Sequence, residues 1–133
     1  MLKYIYLYLI TFGIFLIIDL IWLNLIAKDL YQKEIGSLLL KNPNLIPALI
    51  FYLLFIVALL VLVLIPGINS YTLTKTLLLG AVFGFITYAT YDLTNLATLQ
   101  GWSLKMTIID LIWGTSISTV VTLLGYLIGS KIL

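Results

Sequence analysis

The sequence predicts an all-α membrane protein, four transmembrane helices in an up-down bundle with both termini on one side. Composition places it in a membrane: 63% of residues are hydrophobic and 9% charged, with a mean hydropathy of +1.22, outside the range of soluble domains. Length gives the span count, because four apolar runs each reach the roughly 20 residues that a hydrocarbon core requires at about 1.5 Å per residue. Spacing gives the bundle, because two of the three connections are short and short connections leave neighbouring helices antiparallel.

The chain reads as a single four-span unit with spans near residues 4–26, 47–65, 73–99 and 104–128. The first run, Tyr4 to Ile26, exceeds the ~7 to 15 apolar residues of a signal-peptide core and lacks a small-residue cleavage site, so it is expected to be retained. Residues 27–46 are the longest connection, mixing Lys28, Asp29, Lys33, Glu34 and Lys41 with Tyr31, Leu38, Leu39 and Leu40. That mixture suits an interfacial segment that continues the first helix and covers what lies beneath it. Pro47 fits the first turn of the second span, where its missing donor costs nothing, and Pro66-Gly67 is expected to end that span. From Ala48 to Ile65 the second span carries no charge, which marks it as the outer support. Gly101 separates the third span from the fourth.

The seven basic residues are all lysines, and they sit at the ends of the spans. Lys28, Lys33, Lys41 and Lys105 mark one face; Lys3, Lys75 and Lys131 mark the other, so the positive-inside balance leaves orientation open. No basic block is present to suit nucleic acid, and the bilayer is the partner that composition implies. With no cysteine and no histidine, the usual ligands and nucleophiles of zinc, haem, iron-sulfur and thiol chemistry are missing. No metal site and no cofactor are expected.

Chemistry therefore falls to carboxylates, hydroxyls, phenols, amides and lysines, and three carboxylates lie inside spans. Asp19 sits about seven residues before the end of the first span, and Asp110 about six residues into the fourth, which places both roughly 9 to 10 Å below the same face at helical rise. Asp92 lies near the end of the third span, at the same level, within Tyr88-Ala-Thr-Tyr-Asp92-Leu-Thr-Asn95. Helical spacing puts Thr76, Gly80, Gly84, Tyr88, Asp92 and Asn95 on one stripe, and Asp110, Gly114, Ile117, Val121 and Gly125 on another. Small residues sharing a face with an acid mark that face as packed inward, with Gly80, Gly84 and Gly114 permitting close approach between helices.

A charge at the centre of a spanning helix costs about 2.5 to 3.5 kcal/mol, so three acids are a functional-site hypothesis by default. No lysine lies at their depth. The cost is expected to be met by protonation of at least one acid, by hydrogen bonds from Tyr88, Tyr91, Asn24, Asn95, Thr94 and the Trp22 and Trp113 indoles, or by a bound cation. The hexapeptide Ile-Ile-Asp-Leu-Ile-Trp occurs twice, ending at Trp22 and at Trp113. Its informative part is Asp-x-x-Trp, an acid with an indole one turn on that can donate to it or offer its face to a cation.

The run Gly80 to Trp102, with Asp110-Leu-Ile-Trp-Gly114, Asp19-x-x-Trp22, Tyr31 and Phe51-Tyr52, resembles the bacterial predicted membrane protein family known as domain of unknown function 2177. The similarity spans nearly the whole chain. It implies a small four-span protein of the bacterial inner (cytoplasmic) membrane and carries over no catalytic residue.

The residues point to a polar pocket near one face, formed by Asp19, Asp92 and Asp110 with Tyr88, Asn95, Trp22 and Trp113. One reading has it bind or transport a proton, a cation or a small amine, and a pathway through so narrow a bundle would call for a homodimer. A second reading is a cofactor-independent enzyme using two of the acids as acid and base on a lipid or isoprenoid. A third is a non-catalytic subunit of a membrane complex. Whether the chain is an enzyme stays open at this point.

Overall fold

A computed structural model describes residues 1–133. It is all helical, and four helices are long and apolar enough to cross a membrane: α1 (Leu2–Leu38), α2 (Leu45–Ser70), α3 (Leu73–Thr98) and α4 (Leu104–Ile132). Three of them open on a side-chain cap. Asn44, Thr72 and Ser103 accept hydrogen bonds from the backbone amides of Ile46, Lys75 and Met106, satisfying donors that have no carbonyl one turn back. Gly101 takes the left-handed conformation, with φ of 78°, in the turn between α3 and α4.

The up-down order follows from contacts at both ends. Near the termini, a side chain at Gly129 would meet Leu7 and Ile68, and one at Gly125 would meet Leu64 and Thr11, so the start of α1 lies beside the end of α4. At the far end Glu34 of α1 pairs with Lys105 of α4 at 3.7 Å and accepts a hydrogen bond from the Ser103 hydroxyl.

Two of the helices contain a widened turn in which the amide bonds five residues back. In α2 this turn is Leu60–Leu64, with the Ile65 amide bonding the Leu60 carbonyl. It corrects the expectation that Pro66-Gly67 ends the helix, because α2 continues to Ser70. Proline lacks an amide hydrogen and its ring crowds the carbonyl a turn earlier; a widened turn just ahead of it relieves both. In α1 the widened turn is Trp22–Ile26, after which the helix runs on to Ile35 and closes with a tighter turn at Gly36–Leu38. Nine residues of regular helix, at about 100° each, would set Trp22 and Tyr31 on opposite faces. The extra residue in the turn re-phases the chain, and the Trp22 indole reaches the Tyr31 hydroxyl at 3.2 Å.

The closest packing is between α3 and α4. A side chain at Gly80 would strike Thr122, one at Gly84 would meet Ser118 and the Gly114 carbonyl, and one at Gly114 would strike the Tyr88 ring. Where the backbones approach, the Ser118 hydroxyl donates to the Gly80 carbonyl at 2.7 Å. In lipid, helices associate through such close contact and interhelical hydrogen bonds rather than by escaping water.

The apolar core occupies the half of the bundle nearer the termini, where Leu7, Ile56, Leu59, Leu64, Ile117 and Val121 are buried. Helix α2 supplies much of it and is thus more than an outer support. Phe15, Phe55 and Phe83 form the upper boundary of this core, with Phe55 at 5.0 Å from each of the other two rings. Above them the acids begin.

Candidate functional site

Each acid reaches the interior because the apolar residues beside it face outward. In the two Asp-x-x-Trp segments, Ile17, Ile21, Ile108 and Ile112 are exposed on the bundle's outer surface, where lipid would lie. Asp19, Asp92 and Asp110 point the other way and are all buried. The interior face of α1 is a strict four-residue stripe of Leu7, Thr11, Phe15 and Asp19, leaving Tyr8 and Phe12 at its edge.

The two Asp-x-x-Trp segments exchange their indoles. Because α1 and α4 run in opposite directions, each tryptophan lies one turn from its own acid but level with the acid of the other helix. The Trp113 indole donates to Asp19 Oδ1 at 3.2 Å. The Trp22 indole donates to the Tyr31 hydroxyl, which in turn donates to Asp110 Oδ1 at 3.2 Å. Between the two acids the indoles lie face to face, 4.4 Å between ring centroids and 8° from parallel. The expectation that an indole serves the acid of its own segment is therefore corrected: the pairing crosses between helices.

The three acids differ in how well they are held. Asp19 is satisfied on both oxygens, by Trp113 and by the Tyr52 hydroxyl at 2.5 Å. Asp110 receives one donor, Tyr31, on a single oxygen. Both oxygens of Asp92 are buried with no hydrogen-bond partner in the chain. Such a group in a low-dielectric interior is costly and calls for an explanation.

Two cavities account for the space around them. The larger, about 610 Å³, has Asp19 and Asp110 on its wall together with the aromatic groups Tyr31, Phe51, Tyr52, Tyr88, Tyr91 and Trp113. The smaller, about 160 Å³, is bordered by Asp92, Asp110, Tyr31, Tyr91, Trp102 and Met106 among others. Asp110 borders both. The acids therefore occupy two compartments that meet at Asp110, in place of the single chamber expected, and no three acidic side chains converge as metal ligands. Tyr31 and Tyr91, with Asp110, border both cavities and lie along the boundary between them.

The other sequence candidates divide. Tyr88 lies on the larger cavity with its ring against Gly114, and Trp22 stacks behind the wall rather than on it. Asn95 borders neither cavity. Asn24, another amide within reach in sequence, bonds the Leu20 carbonyl one turn back.

These features coincide with a family. The family described as predicted membrane protein (DUF2177) matches residues 4–127. The chain belongs to that family. No curated protein and no solved structure matches it.

In this DUF2177 protein the residues that sequence reading missed as site residues are Tyr31 and Tyr52, while Tyr91, expected only as a hydrogen-bond donor, borders both cavities. Tyr52 was hidden because α2 looks uniformly apolar, yet its hydroxyl is the shortest bond to any of the acids. Tyr52→Phe should lower stability by about 1.5 to 3 kcal/mol, the range for hydrogen bonds to charged groups, with the larger cavity retained. Unfolding by sodium dodecyl sulfate in mixed micelles measures it, and a variant as stable as wild type would show that the bond contributes nothing.

Proposed function

We propose that this protein binds hydrophobic organic cations in the bacterial cytoplasmic membrane, using the larger cavity. The observation that carries the reading is the pairing of two carboxylates, Asp19 and Asp110, with a wall of six aromatic side chains around about 610 Å³. Carboxylates supply the charge and aromatic faces attract a cation by their quadrupole, worth about 2 kcal/mol or more when desolvated. No lysine lies in the wall, so the carboxylates there have hydrogen-bond donors but no cationic partner within the protein. Phe51, Leu23 and Pro47 add apolar surface for the body of the guest, as expected of a small-molecule site with few polar groups in an apolar lining.

The test is titration of the purified protein with tetraphenylphosphonium against triphenylphosphine oxide, a neutral compound of comparable bulk. Saturable binding of the cation, at least tenfold tighter than the neutral compound, is expected. Equal affinity for the two would leave only an apolar cleft and defeat the reading.

A further inference from the structure

We infer that Asp92 and Asp110 hold one proton between them in the smaller cavity, and that an organic cation entering the larger cavity expels it. The second half of this inference rests on the cation reading of the larger cavity; the first half does not.

Asp92 is 1% exposed, neither of its carboxyl oxygens has a partner, and it faces a space of about 160 Å³ that Asp110 also borders. The groups around that space are few. Helix α1 contributes the Tyr31 hydroxyl, already donated to Asp110; α3 contributes Tyr91; α2 contributes nothing. Nearby, Glu34 and Lys105 are occupied with each other at the rim, Tyr88 lies with its ring on Gly114, and Asp19 is engaged by Tyr52 and Trp113. No positive side chain reaches Asp92.

A proton is the occupant that these donors fit. Two carboxyl groups sharing one proton satisfy each other, the protonated member donating and the ionised one accepting. A calcium or magnesium ion takes about six or more oxygens, and the rest of this wall is Ile35, Leu39, Met106 and the Trp102 ring. Because Asp110 borders both cavities, its charge serves either the Asp92 proton or the organic cation. The two occupants are then linked reciprocally, each weakening the other.

The sign follows: the proton competes, so cation binding tightens as pH rises. Over the pH range in which the shared proton is bound, the Kd of wild type for tetraphenylphosphonium should fall by up to about tenfold per pH unit, with about one proton released per cation bound. Calorimetry in buffers of different ionisation enthalpy reads the released proton. Asp92→Asn should still bind the cation, with the pH dependence and the proton release both lost. Binding by wild type that ignores pH, or a pH dependence that persists in Asp92→Asn, overturns the inference. An infrared spectrum judges the shared proton without any ligand. Wild type should show a deuterium-sensitive carboxylic-acid band that Asp92→Asn removes and Asp29→Asn, at an exposed position, leaves in place. Absence of that band from wild type overturns the inference even where no cation binds, and a band without cation binding defeats the cation reading together with the expulsion step.

Discussion

Asp110→Asn is expected to weaken tetraphenylphosphonium binding by roughly 30- to 100-fold, a loss of about 2 to 3 kcal/mol. Two unit charges 4 Å apart at an effective dielectric constant near 20 attract by about 4 kcal/mol, and part of that is offset by the desolvation both must suffer. Asp110 is the acid to change because one of its oxygens is left free by its single donor, Tyr31, and it borders both cavities. Asp19→Asn should cost less, about three- to tenfold, since Trp113 and Tyr52 already draw on both of its oxygens. Quenching of tryptophan fluorescence by the bound cation, followed by calorimetry, measures both. Wild-type affinity in Asp110→Asn would remove the carboxylate from the recognition of the guest.

The largest effect on stability is expected from Gly84→Ala, a loss of about 2 to 3 kcal/mol. A Cβ at this position would lie 2.5 Å from the Gly114 carbonyl oxygen and against Ser118. The obstacle is backbone of a facing helix, so α3 and α4 must separate to admit it, loosening the hydrogen bond from Ser118 to the Gly80 carbonyl as well. Gly13→Ala is the control, because a Cβ there meets nothing within 4 Å; it should be neutral or stabilise by about 0.5 to 1 kcal/mol through helix propensity. Detergent unfolding of the two variants side by side decides the matter. Equal stability would mean that the α3–α4 contact is not the tight one.

The architecture was legible because lipid imposes it. Four apolar runs of spanning length have few alternatives when every backbone group must be satisfied within the helix. The stripes of α3 and α4 were equally readable, since Gly80, Gly84, Asp92, Asp110, Gly114 and Val121 are spaced at helical period and all are buried. Pattern alone could not show what interrupts the period. The widened turn at Trp22–Ile26 turns Tyr31 toward Asp110, and nothing in the letters of that segment announces it. The same holds at Leu60–Leu64, where an expected helix end became a continuation. Acids placed at one level by sequence are not necessarily adjacent ones. Whether they share a compartment depends on what stands between them, here the phenols of Tyr31 and Tyr91, which border both cavities. Tyr52 escaped for another reason: one hydroxyl on a long apolar helix carries no periodic signal.

The wall contributed by α2 has a consequence for how a guest would arrive. Below, Phe55 and Phe83 close the gap between α2 and α3; above them, Pro47 and Phe51 on one side and Tyr91 on the other border the larger cavity while remaining exposed. These exposed residues lie on two helices, so a guest entering between them from the side of the bundle would come through lipid. A molecule using that route would first dissolve in the leaflet, and its partition coefficient, more than its concentration in water, would set how often the cavity is visited.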